Sequence, residues 1–418
     1  MKNIYAALAM TSAALATNPA LAQPQIVKPP IAQYAVDIGT RSMSIPGIGG
    51  GGLAGVMLPA GIGGPTKELW LGLRSTQKSA APAADHDIPP GMAMGPTLPL
   101  LAPLPADRGP RAEYADDERP PEKPKARMLV YWGCGDAIRP GQPKVADTEK
   151  MSIEQFGAAL RGRTPPERGF YRDAKLRWPN ERDPKTVPAN ASIRGDQFVH
   201  GTATPDIQFS IGERQDFLAP LELSSTGSMP GPFPLTWKPV PFAQGYFLQA
   251  IGYRQATGEM IIWSSSEVQD TGWGLMTWLP NDFVRRMIGE KVVFPPETTK
   301  CTVPAGIFDG TEGTMVQAIA YGEELNLVHP PRPSDPKIPW AQIWNVRVRV
   351  KSTGMTMLGM GDDDGRQHPR QGGAAAEQQP AGRTPTPGAQ TPATESKPSS
   401  PLDDASDAIN KLKGLFKF

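Results

Sequence analysis

Apolar and polar positions alternate with period two along much of the chain, the signature of strands that bury one face. Tyr34, Val36 and Ile38 alternate with Ala35 and Asp37, which predicts a short half-buried strand. Residues 67–74 return to the same period, with Leu69, Leu71 and Leu73 on one face, so the two strands can pair. Residues 128–134 are a continuous apolar run, the pattern of a strand covered on both faces. Residues 192–202, 207–211 and 314–321 read as further strands. Residues 246–253 and 260–263 flank Ala256-Thr257-Gly258-Glu259, a hairpin signal. Trp344, Val346, Val348 and Val350 alternate with Asn345, Arg347, Arg349 and Lys351, the clearest half-buried strand in the chain.

Helical spacing is rarer. Ser152 opens a capping box with Gln155, Ile153, Phe156 and Leu160 share a helical face, and Gly162 closes the element. A second short helix is expected over 281–288, capped by Asn281 and stopped by Gly289. At the end of the chain Ala405, Ile409, Leu412 and Phe416 fall at helical spacing. Asp403, Asp404 and Asp407 stand near the start of that segment and Lys411, Lys413 and Lys417 near its end, which suits the helix dipole.

Composition changes this picture in four places. The 418 residues include 44 Gly and 48 Pro, concentrated in stretches that build no core. Residues 42–66 carry no charge and are long enough for a bilayer, but their glycines and Pro59 make a poor membrane helix, so a flexible loop is expected. Residues 76–125 are a Pro/Ala-rich connector without sustained periodicity, and 366–401 are dominated by Gln, Pro, Ala and Thr, a disordered linker. At the start, Lys2, an apolar run over 4–16 and Ala20-Leu21-Ala22 make a secretory signal peptide with Gln23 as the first mature residue. The protein is therefore expected to be exported, periplasmic or extracellular. A net charge of +1 argues against a dedicated nucleic-acid binder.

The run Leu235-Thr236-Trp237-Lys238-Pro239-Val240, followed by Ala243, Gly245 and Tyr246, resembles a fibronectin type III or related immunoglobulin-like domain. In that family the Trp packs into the core, the Pro and Ala shape the turn, and the Tyr begins the next strand. The resemblance spans 206–352 and implies an antiparallel β-sandwich with Trp237 and Tyr246 in its core. The segment departs from the family in exceeding its usual ~100 residues and in the inserted helix at 281–288. The expected fold class is mainly β. The chain divides into a signal peptide (1–22), two short strands with a Gly-rich loop and connector (23–125), and a β-rich domain with one short helix (126–205). The sandwich (206–352), a disordered linker (353–401) and an amphipathic C-terminal helix (402–418) follow.

Candidate chemistry is sparse. Cys134 and Cys301 are the only thiols, either a disulfide or two buried thiols. The four histidines show no metal-ligand spacing, and no metal or cofactor is expected. Asp85-His86-Asp87 reads as a solvated loop, since sequence neighbours on an extended chain point to opposite faces. Gly47-x-Gly49-x-x-Gly52 matches a dinucleotide fingerprint in letters but lacks the surrounding βαβ unit, and no Gly-x-Ser-x-Gly elbow is present. Trp263, Trp273 and Trp278 are the candidate ligand-binding aromatics, against the alternative that they fill the core. The Arg347/Arg349/Lys351 face is read as solvated charge that protects a sheet from aggregation, with anionic envelope polymers as its alternative ligand.

These readings give a non-catalytic envelope protein that binds another protein or a surface polymer, with no catalytic residue assigned. The alternative is an envelope polysaccharide hydrolase built on a carboxylate pair. Ile409, Leu412, Leu415, Phe416 and Phe418 are the apolar positions of a docking helix, with a peripheral membrane surface among its partners.

Overall fold

The computed structural model describes residues 25–44, 64–104, 126–160, 162–166, 174–311 and 313–359. The expected signal peptide, the Gly-rich loop, residues 105–125 of the connector, most of the linker and the C-terminal helix lie outside the described residues.

In chain order the strands begin with β1 (Val27–Lys28), β2 (Ala32–Ser44), β3 (Thr66–Ser75), β4 (Ala84–Asp87) and β5 (Thr97–Leu100). They continue with β6 (Arg127–Trp132), β7 (Lys144–Asp147), β8 (Leu176–Trp178), β9 (Gly195–His200), β10 (Ile207–Ile211) and β11 (Leu223–Ser225). Next are β12 (Phe233–Trp237), β13 (Gly245–Arg254), β14 (Glu259–Ser264) and β15 (Lys300–Val303). The last four are β16 (Thr314–Tyr321), β17 (Leu325–His329), β18 (Trp340–Ala341) and β19 (Trp344–Leu358). Two described α-helices, α1 (Ile153–Ala159) and α2 (Asn281–Gly289), interrupt them. The protein is mainly β, with several sheets and, among the described residues, no closed barrel.

Among the described residues the principal sheet has ten strands, in the order β7-β6-β14-β13-β16-β19-β2-β3-β8, with β17 paired to the first half of β19. Most neighbours are antiparallel, including the expected β13–β14 hairpin and the β2–β3 pair. Two junctions are parallel, β6 beside β14 and β2 beside β19, and both join segments far apart in sequence. On one face of this sheet lie a four-stranded sheet, β10-β9-β4-β5, and a three-stranded sheet, β11-β12-β15. Tyr34, Val36 and Ile38 of β2, Leu69, Leu71 and Leu73 of β3, and Val346, Val348 and Val350 of β19 meet them in the main core. The helices cover the opposite face. α1 brings Phe156 against Met128, Val130 and Ile262, and α2 packs Phe283, Val284 and Met287 on Phe247, Ile319 and Tyr321.

Local signals explain the helix ends. The Ser152 side chain accepts from the Gln155 backbone N–H while the Gln155 side chain accepts from that of Ser152, the expected capping box. Asn281 is not the cap of α2 but its first residue, because its amide side chain is engaged elsewhere. It donates to the Glu324 carbonyl and accepts from the Glu324 N–H.

Four expectations need correction. The connector 76–125 is not structureless, since it contributes β4 and β5, whose short alternating pattern is masked by prolines. β19 runs to Leu358, so 353–358 belong to the sheet and not to the linker. β2 is not half-buried, because the opposite sheet face is covered as well: Ala35 and Asp37 are as buried as Val36, whereas β19 keeps the expected alternation except at Arg349. Finally, residue 206 marks no break in the principal sheet. β14 takes β6 as its neighbour and β19 takes β2, so segment 206–352 shares one sheet with residues from the first half of the chain.

Candidate binding cleft on the four-stranded sheet

Alternation along β4, β9 and β10 sends His86, Gln197, Val199, Ile207 and Phe209 into the protein. It leaves Asp87, Asp196, Phe198, Gln208 and Ser210 on the other side of the sheet. Register then sets these residues in rows. Asp87 pairs with Phe198 and Phe198 with Gln208, while Asp196 pairs with Ser210 in the next row. An open cavity of about 990 Å³ lies over them, rimmed by Pro89, Pro90, Arg194 and Gly195.

Its floor is anchored from behind. Gln197 donates from its amide nitrogen to the carbonyls of Ile193 (2.8 Å) and Gly195 (3.0 Å). Its oxygen therefore accepts, and the donor is His86 Nε2–H at 3.0 Å. That tautomer leaves His86 Nδ1 to accept the Tyr34 hydroxyl proton at 2.9 Å. Burial pushes His86 down to about 4 and raises Tyr34 well above the usual phenol range, so both stay neutral. The relay holds the 193–195 turn, where Gly195 has φ +123° and a side chain would meet Pro89. Asp216 fastens the same turn from the other side, accepting from Ser192 Oγ (2.6 Å) and the Ile193 N–H (3.0 Å). His86 is thus a positioning residue with both ring nitrogens engaged. The expectation of a solvated Asp-His-Asp loop is corrected here: the segment is a strand, and its central residue is buried.

On the open side, Asp87 accepts from Thr97 Oγ1 at 2.8 Å and lies 3.3 Å from His200 Nε2, and the His200 ring stacks on Phe198 at 4.7 Å. The cleft therefore offers a flat ring, an oriented carboxylate, a second carboxylate at Asp196, and the amide and hydroxyl groups of Gln208 and Ser210.

The aromatic positions singled out from the sequence are not brought together. Trp263 is fully buried in the main core and donates its indole N–H to the Gly133 carbonyl at 2.9 Å. Trp273 packs against the α1 cluster. Trp278 donates to the Ile38 carbonyl at 2.9 Å and carries the Lys351 ammonium 3.8 Å above its ring. Trp263 thus faces the main core, Trp273 the α1 cluster on the other side of the principal sheet, and Trp278 the β2–β19 pair. Cys134 and Cys301 are bonded, and the bridge staples the three-stranded sheet to the end of β6. The Arg347/Arg349/Lys351 row is not simply a solvated face, since Arg349 is buried against Asp37. Burial lowers Lys351 to about 8, despite the opposing pull of Glu68.

Among the described residues no group of three or more His, Cys, Asp or Glu side chains is placed to hold a metal ion. No family model and no curated protein matches the sequence.

Proposed function

We propose that the chain is an exported, non-catalytic binding protein of the cell envelope that recognises a surface polymer through the cleft over β4, β9 and β10. The observation that carries this reading is the row Asp87–Phe198–Gln208 under the cavity, with the ring between a carboxylate and an amide. Aromatic rings stack on the apolar faces of sugars, and oriented carboxylates and amides pair with hydroxyl groups. Export is supported by the N-terminal apolar segment and by the Cys134–Cys301 bridge, since disulfides persist in oxidising compartments. The fibronectin-like reading is supported only for the local core of 206–352, where Trp237 packs 5.5 Å from Tyr246 across two sheets, and not for an autonomous domain. The C-terminal segment, with Ile409, Leu412, Leu415, Phe416 and Phe418, serves in this proposal as a tethered docking element.

Titration of the full chain with polysaccharide fractions from the envelope tests the cleft. Phe198→Ala and Asp87→Asn should each weaken binding at least tenfold without changing the unfolding midpoint by more than that of a surface substitution. Binding unchanged in both variants rejects the cleft as the site.

One observation favours the hydrolase as a second reading. Asp87 and Asp196 line the same cavity, one diagonal step apart in the sheet, the kind of spacing at which paired carboxylates work. Release of reducing ends by the wild type and not by Asp196→Asn would establish it over the binding protein.

A further inference from the structure

Export and the cleft leave one feature of the molecule without a role, a small two-stranded parallel sheet formed by β1 and β18. On and beside it stand exposed aliphatic side chains: Ile26 (65 % exposed), Val27 (50 %) and Ile338 (52 %), with Ile31 and Ile343 next to them. Backbone hydrogen bonds tie these segments into one tip, Trp340 N–H to Ile26 (2.8 Å) and Ala32 N–H to Ile343 (3.0 Å). None of these five residues belongs to a core cluster. The side chains around them are mainly cationic, with Lys28, Arg332 and Lys337 exposed against the single acid Asp335. Within the tip Arg332 lies over the Trp340 ring and Gln25 donates to the Ile338 carbonyl.

We infer that this tip seats on an anionic phospholipid membrane surface. An exposed aliphatic cluster of this kind marks an interaction site, and the cationic rim selects an anionic partner. Strand addition by a partner protein does not fit. Each strand is two residues long, Pro29 and Pro30 follow β1, and Pro339 precedes β18, so neither edge offers a run of backbone donors. A bilayer interface requires no such ladder. It accepts the isoleucines at the headgroup boundary while the lysines meet lipid phosphates.

The experiment is co-sedimentation of the full chain with vesicles of phosphatidylglycerol and phosphatidylethanolamine, against vesicles of phosphatidylcholine alone. Binding is expected on the anionic vesicles and should weaken as salt is raised. The triple variant Ile26→Ser/Val27→Ser/Ile338→Ser should lose at least tenfold in partitioning, and Lys28→Glu/Lys337→Glu should lose the anionic preference. All five positions are exposed, so a retained thermal midpoint separates lost binding from lost folding. A chain ending at residue 401 should bind as the full chain does. No binding to anionic vesicles overturns the inference. So does binding that survives the triple variant but disappears on removal of 402–418. Loss of a dimer in the triple variant, seen by sedimentation velocity with vesicle binding unchanged, assigns the tip to a second copy and overturns it as well.

Discussion

Asp37 and Arg349 stand 312 residues apart in the chain and directly opposite each other in the parallel β2–β19 ladder, joined by two hydrogen bonds of 2.7 Å. Both are almost fully buried, at 3 % and 4 % exposure. Trp278 covers them, since its carbonyl accepts from Arg349 (3.5 Å) while its indole donates to Ile38 next to Asp37. Asp37→Ala leaves a guanidinium buried without its counter-charge and should cost about 3–5 kcal/mol. Asp37→Leu/Arg349→Met removes both charges and should recover most of that loss. Urea unfolding midpoints of the single and double variants check this, and equal destabilisation in both would show that the charges contribute nothing beyond shape.

Acid should weaken the protein through His86. Its pKa falls from the ordinary 6.5 to about 4 in the folded state, chiefly through burial, while the unfolded chain keeps the ordinary value. The unfolded state therefore binds the proton first as the pH drops. The contribution of neutral His86 is intact above about pH 6.5 and is lost progressively toward pH 4, to a total of about 3 kcal/mol. His86→Gln should flatten that slope while lowering stability at pH 7 by about 1–3 kcal/mol, since it disturbs the bonds to Tyr34 and Gln197. Guanidinium melts at pH 7.5 and 4.5 for both proteins decide the point. An identical slope in the variant would move the titration to another group.

The bridge between Cys134 and Cys301 closes a loop spanning 167 positions and ties two sheets together. Removing it by Cys134→Ser/Cys301→Ser should cost about 2–5 kcal/mol, mainly by freeing the unfolded chain. The variant's thermal midpoint should match that of the wild type in excess reductant. A wild type indifferent to reductant would mean that the bond is not formed in the isolated protein.

Segment 206–352 should not fold on its own. Excision removes β2 from beside β19 and β6 from beside β14, exposing the apolar side chains of Val346, Val348, Ile261 and Trp263. The isolated segment is expected to aggregate or to unfold without a cooperative transition. A sharp melt monitored by circular dichroism would restore it as an autonomous domain.

Strand identity was legible in the sequence because it is a local property. Period-two alternation marked β2, β3 and β19, the apolar run marked β6, and Ser152 with Gln155 marked the start of α1, each set by neighbours within a few residues. Alternation says only that two sets of side chains face opposite ways; it does not say what covers either set. That Arg349 is a buried ion-pair partner and not a solvated charge was decided by β2, which brings Asp37 alongside it, and by the loop carrying Trp278. That His86 is a buried relay residue was decided by Tyr34 and Gln197, 52 and 111 positions away. The cleft itself is made from β4, β9 and β10, whose outward residues are unremarkable in the sequence until register sets Asp87, Phe198 and Gln208 in one row. Local sequence thus fixes which way side chains alternate, while burial, charge state and site geometry depend on contacts between segments tens to hundreds of residues apart, which only the folded chain brings together.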